Sequence, residues 1–177
     1  MRQRDAPPEG RRSLKGIAMS PVPRALQRHE RELVTTHFVA LPPQDRALRF
    51  GAAMGDYGIR EYVSGIDFER DAVFGVLDAR MILVGAAHLA RGDGDAELGL
   101  SVLPGHRRLG IGSALVRASC LRCHEWGVRE LFMRCAATNV AMRNLARKHG
   151  MRVLVEGGDA DAFLPLPAPA RTNTLRA

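Results

Sequence analysis

Residues 96–121, AELGLSVLPGHRRLGIGSALVRASCL, change their periodicity twice and set the frame for the rest of the chain. Ala96 to Leu103 has the composition of a strand, and Pro104-Gly105 is a turn signal that stops it. Helical spacing follows, with Ile111, Leu115, Ala118 and Leu121 recurring at the intervals of an apolar helix face. Between the two lies Arg107-Arg108-Leu109-Gly110-Ile111-Gly112. Its glycines let the backbone approach a ligand closely, and the first amides of a helix have no partner within it. Such amides cradle anions: each charge-assisted bond to a phosphate contributes on the order of 1.5–3 kcal/mol. The helix dipole adds up to ~1 kcal/mol at an exposed end. No lysine follows Gly112, so the loop is not a P-loop, and it lacks the third glycine of a dinucleotide fingerprint.

Three strands lead into this segment and a crossover leads out of it. Ala72–Leu77 and Met81–Ala90 are strands joined through Asp78-Ala79-Arg80, and Arg91–Asp95 turns the chain into Ala96–Leu103. Glu130–Cys135 is the strand after the helix, and strand-helix-strand implies a parallel crossover. In residues 139–151 Asn139 is an N-cap, Met142 and Leu145 share a face and Gly150 ends the helix. Met151–Glu156 and Ala160–Leu166 form a closing strand pair around Gly157-Gly158. Upstream, the β-branched run Glu32–Leu41 is expected as the first strand. Helices over Gln44–Ala53 and Tyr57–Ser64 follow, then an acidic loop at residues 65–71.

The 177 residues, 46% hydrophobic, suit one globular domain at 30–166. A mobile basic extension is expected at 1–29 and a frayed tail at 167–177. No apolar run approaches the ~20 residues of a membrane span. The N-terminus has no apolar segment of a secretory signal, and Asp5 and Glu9 argue against a transit peptide. Cys120, Cys123 and Cys135 lack a second pair for zinc and suit small buried thiols in a reducing cytoplasm; no metal requirement is suggested.

The net charge of +7 is unevenly spread. Residues 1–29 hold seven basic groups against two acids, and residues 30–104 seven against twelve. Residues 105–152 hold ten against two. An acidic first half and a basic second half suit a cationic partner on one side and a polyanion on the other. The basic extension has no interleaved aromatics or recognisable fold, so nucleic acid is not expected as a partner beyond nonspecific attraction.

Arg107-x-x-Gly110-x-Gly112 resembles the R/Q-x-x-G-x-G/A signature of the GNAT superfamily of N-acetyltransferases. Asn139, Leu145, Lys148 and Gly150 resemble a second pattern of that family, N-x5-L-x2-K-x-G, in the expected later helix. The resemblance covers about residues 31–166. It implies the GNAT acyltransferase fold, α/β in the α+β sense: a central mixed, mostly antiparallel sheet of about six or seven strands flanked by about four helices. It implies acetyl-CoA as cosubstrate. Leu100, Ser101 and Val102 would lie along its pantetheine arm, and Arg107, Arg108, Leu109, Gly110, Ile111, Gly112 and Ser113 would hold its pyrophosphate. Asn139 would contact the arm or an ordered water, or simply cap its helix. Arg143, Arg147 and Lys148 are candidates for the adenosine phosphate.

For the base that neutralises the amine the candidate is Glu97, at the start of the central strand and opposite His88 across the hairpin; His88 itself reads as a core histidine. The oxyanion donor would be a backbone amide near Val102. One departure stands out: family members often carry a tyrosine after the Leu145 position to protonate the leaving thiolate, and this chain has Ala146. The expected function is acetyl transfer to a primary amine of lysine side-chain, polyamine or amino-sugar type, on a small molecule or a protein. Its entry would pass Arg49, Phe50, Tyr57, Tyr62 and the loop at 67–71. A non-catalytic acyl-CoA-binding module of the same fold is the alternative, a homodimer is left open, and no membrane partner is expected.

Overall fold

The computed structural model describes residues 21–167. Its elements run β1 (Arg24–Leu26), α1 (Arg31–Val39), α2 (Pro43–Phe50), α3 (Asp56–Ser64), β2 (Ala72–Leu77), β3 (Leu83–Arg91), β4 (Asp95–Val102), α4 (Ile111–Trp126), β5 (Glu130–Ala136), α5 (Val140–Lys148), β6 (Arg152–Glu156) and β7 (Asp159–Pro165). The seven strands form one sheet in the order β1-β2-β3-β4-β5-β7-β6. Every neighbouring pair is antiparallel except β4 and β5.

Both faces of the sheet are covered. Ala72, Phe74 and Val76 of β2 join Leu115, Val116 and Cys123 of α4 and Ala146 of α5 in the larger core. Val73, one residue out of phase, joins Val34 and Phe38 of α1 and Ile59 and Val63 of α3 in the smaller one. That is the alternation of a strand buried on both sides. The buried face of α4 runs through Ile111, Leu115, Ser119 and Cys123, one step of four at a time. Leu121, expected on that face, is 67% exposed, because the helical repeat carries it round to solvent. Burial raises the Cys123 thiol to about 12. Gly85 of β3 makes room for the start of α4: a Cβ there would lie 2.4 Å from Ile111 Cγ2.

The run expected as the first strand is α1 instead. Val34, Phe38 and Leu41 repeat at helical steps and are fully buried, and the Thr35 hydroxyl donates to the Arg31 carbonyl one turn back. Spacing and burial override the β-preference of Val and Thr. The first strand lies earlier, at Arg24–Leu26, inside the stretch expected as an extension. It pairs with β2, Leu26 is buried, and Arg24 is bound to Glu30 through both carboxylate oxygens. The sheet therefore includes residues ahead of residue 30; residues 1–20, with most of the basic extension, and 168–177 lie outside the described residues.

His37 ties α1 to the sheet. Its Nδ1–H donates to the Leu83 carbonyl at 2.8 Å, and its Nε2 accepts from the Ser101 hydroxyl at 2.8 Å. The carbonyl can only accept, which sets the tautomer. Burial pushes the ring down to about 4 from its usual 6.5. Between those values the unfolded chain binds more protons, so this contribution is complete above pH 6.5 and is lost as pH falls towards 4. The full shift corresponds to about 3 kcal/mol. Thermal melts from pH 7 to pH 4 should show the midpoint falling, with a shallower fall in His37→Gln than in the parent; equal slopes would remove His37 as the cause.

Candidate functional site

Parallel pairing of β4 with β5 is confined to Asp95–Glu97 against Glu130–Phe132. Beyond it β4 follows β3 as far as Val102, and β5 follows β7 as far as Ala136. The two strands part, and the facing edges of Leu98–Val102 and Met133–Ala136 have no strand between them. A ligand with amide groups of its own can pair with such an edge.

A cavity of about 650 Å³ occupies the mouth of the split. Leu100, Ser101, Val102, Arg107, Arg108, Gly110, Ile111, Gly112, Ser113 and Asn139, all singled out from sequence, line it. Leu109 does not; its side chain is 60% exposed. Lys148 reaches the cavity from α5, whereas Arg143 and Arg147 do not line it. Across from the loop stand Asp45, Leu48 and Arg49 of α2.

The loop is bent by two residues in the left-handed region, Arg108 at φ +63° and Gly110 at φ +81°. For Gly110 that conformation is free of strain; for Arg108 it is not. The first backbone bond of α4 is from the Ala114 amide to the Gly110 carbonyl at 3.0 Å, so the amides of residues 110–113 precede the helical ladder. Arg107 is already engaged. Its Nε donates to the Val102 carbonyl at 3.1 Å and its Nη2 to Asp45 Oδ2 at 2.6 Å, tying loop, strand and α2 together. Asn139 caps α5, its Oδ1 accepting from the Met142 amide at 3.0 Å, and Ser113 Oγ meets His149 Nε2 at 3.1 Å.

A second cavity, about 420 Å³, opens on the α2 and α3 side, and Leu48 and Arg49 line both. Glu97, Tyr62, His88, Gly99, Arg134 and Asp159 are on its wall. Glu97 is not directly opposite His88: its register partner is Ala90, and His88 faces Gly99. Residues two apart on a strand share a face, so Glu97 and His88 are diagonal neighbours. Of the side chains expected along an entry path, Arg49, Phe50 and Tyr62 line this cavity, while Tyr57 is 77% exposed and outside it.

A chain of polar groups backs the wall, and it was not legible in the sequence. His88 Nε2 lies 3.0 Å from Asp71 Oδ2, His88 Nδ1 lies 2.7 Å from the Tyr62 hydroxyl, and Arg49 Nη2 donates to that hydroxyl at 3.0 Å. The carboxylate only accepts, so Nε2 carries the proton and, with the ring neutral, Tyr62 donates to Nδ1. Burial lowers the His88 pKa, opposed by the hydrogen bond and charge of Asp71. The one signal available was Asp71 itself, two residues ahead of Val73, the register partner of His88. Arg46 seats α2, donating to the Val39 carbonyl at the end of α1, to the Leu41 carbonyl just beyond it and to Asp56 at the start of α3. Ala146 is 1% exposed and packed in the core, so α5 presents no hydroxyl at that position.

The model of the acetyltransferase (GNAT) family matches residues 31–151. The fold is similar to that of a phosphinothricin acetyltransferase from Sinorhizobium meliloti in complex with AcCoA, at TM-score 0.69 and 18% identity over 87% of this chain and 92% of that one. It is similar also to a spermidine N-acetyltransferase from Vibrio cholerae in complex with CoA and spermine, at TM-score 0.63 and 15% identity over 82% and 95%. The GNAT domain of S. lividans PAT gives TM-score 0.69 and 17% identity over 81% and 89%. Against curated proteins the sequence has no match.

The polar chain predicts its own titration. Asp71→Asn removes what holds the imidazolium up, so His88 should titrate at still lower pH in that variant, read from its ring proton shifts by NMR. An unchanged midpoint would show that the contact to Asp71 does not persist in solution.

Proposed function

The chain belongs to the acetyltransferase (GNAT) family, and from that premise we propose that it moves an acetyl group from acetyl-CoA to a primary amine by direct attack in a ternary complex. The observation that carries the reading is the parting of β4 from β5 onto a cavity closed by the free amides of α4. The residues fit the cosubstrate. Arg107, Arg108 and Lys148 with the α4 amides suit its polyphosphate, and the open edge at Leu100, Ser101 and Val102 suits the amides of its arm. When bound, acetyl-CoA supplies a thioester carbonyl for attack and a thiolate as leaving group.

Glu97 lies on the second cavity's wall as the base, taking a proton from the incoming ammonium directly or through water. A backbone amide near Val102 is the donor proposed for the oxyanion. With Ala146 in place of a hydroxyl, the thiolate leaves unassisted or takes its proton from water. Glu97 and Asp159 give the wall negative charge that suits a cationic acceptor such as a lysine side chain, a polyamine or an amino-sugar. No helix among the described residues is long and apolar enough to cross a membrane; a cytoplasmic setting, where acetyl-CoA and reduced thiols coexist, is part of the proposal.

The test is a calorimetric titration with acetyl-CoA beside Gly110→Glu, then thiol release against a panel of amines. The variant puts a carboxylate at the anion cradle in a backbone conformation that side chains rarely adopt. Its affinity should drop by about 100-fold or more, at least two charge-assisted bonds' worth. Glu97→Gln should lower kcat by roughly 10²–10⁴-fold. Binding without release on any amine would make the chain a non-catalytic acyl-CoA-binding module, and no binding would end the reading of the loop.

A further inference from the structure

The proposed transfer leaves one cation on the second cavity's wall unused. Arg49 has no carboxylate within ion-pair distance among the described residues, whereas Arg134, which also lines that cavity, is forked onto Asp161. Its guanidinium carbon sits 4.9 Å from the Phe50 ring centre, 5.4 Å from that of Phe38 and 5.5 Å from that of Tyr62. Gly99 of β4 lies against it, where a Cβ would come within 2.5 Å of Cζ. The missing side chain at residue 99 is therefore what lets the guanidinium lie on the strand.

The rings give Arg49 π faces but use none of its N–H groups. Among the described residues, Nη2 gives one hydrogen bond, to Tyr62; Nε is sealed off without a partner; Nη1 makes no hydrogen bond and, unlike Nε, is not sealed off. A planar fork with donors to spare suits a carboxylate or a phosphonate. Its position adds the rest. Arg49 lines both cavities, so it stands where amine and thioester must meet. Glu97 is on the same strand face as Gly99, two residues along, or about 7 Å. A cation and an anion flank one reaction space.

We propose that Arg49 is the subsite for an oxyanion carried by the acceptor itself, and hence that the acceptor is a zwitterionic primary amine, an amino acid or aminophosphonate whose anion lies a few bonds from the reacting nitrogen. The proposal rests on the acetyl-transfer reading but departs from its acceptor classes, because lysine side chains, polyamines and amino-sugars bring no such group. In the step, the N–C bond forms as the C–S bond of the thioester breaks. Of the two protons the ammonium loses, one leaves through Glu97 to solvent and the other ends on the thiol of coenzyme A.

The experiment compares matched acceptors by thiol release: L-lysine against cadaverine, its decarboxylated counterpart, and L-methionine against L-methioninamide. The carboxylate-bearing member of each pair should be favoured in kcat/KM by at least about tenfold, the worth of one charge-assisted hydrogen bond. Arg49→Gln should bring the ratio close to one, and Arg49→Lys should restore part of it. Gly99→Ala, which drives a methyl into the guanidinium, should reproduce the loss, with melts verifying that the variants fold. Equal rates on both members, or an equal fall for both in Arg49→Gln, would overturn the subsite. If acetyl-CoA binds but no amine is turned over, transfer itself fails, and the subsite is then read by titrating the CoA-saturated protein with L-methionine. Binding weakened by Arg49→Gln supports it, and no binding by the parent overturns it.

Discussion

Backbone amides and carbonyls buried in a sheet need partners, and β4 and β5 stop supplying them to each other after Glu97 and Phe132. Each strand is held by its other neighbour, β4 by β3 and β5 by β7, so neither can close the gap. The rest of the site is arranged around that opening. The chain leaves β4 at Val102, turns through a loop with two left-handed residues and starts α4 at the mouth of the split, while α5 and α2 close its sides. Gly85 lets the first turn of α4 come down onto the sheet; a larger residue there would lift the helix.

The position of α2 decides how the two cavities meet. Its first turn offers Asp45 to Arg107, its middle is anchored through Arg46 to the end of α1 and the start of α3, and its last turn puts Arg49 between three aromatic rings and Gly99. A short helix with no fully buried residue is thus held by guanidinium contacts together with the edge packing of Phe50 on Phe38 and Tyr62. The guanidinium contacts are directional, as a site between two ligands requires. The ion pair of Asp45 with Arg107 also sets a carboxylate beside the proposed phosphate cradle, so that Arg107 must share or leave this partner to meet an anion.

Legibility followed the range of the interaction. The glycine loop, the Asn139 cap, the hairpin strands and the crossover are written in neighbouring residues, and the residues expected around the first cavity line it except Leu109, Arg143 and Arg147. The misreading of α1 had a local cause too: a run rich in Val and Thr reads as a strand until one notices that Val34, Phe38 and Leu41 are spaced for a helix. β1 was hidden because three residues are too few to show a period, and its pairing with β2 spans some fifty positions of chain.

What the sequence determined by itself is the set of backbone conformations that a few residues force: the turn at Gly110, the capped start of α5, the repeats that make strands and helices, and through them the family. Tertiary structure decided what converges. Arg49, Tyr62, Asp71, His88 and Gly99 come from two helices, a loop and two strands, and no spacing along the chain relates them. Their meeting depends on strand register and on the seat of α2, both set by burial and hydrogen bonding across the whole sheet.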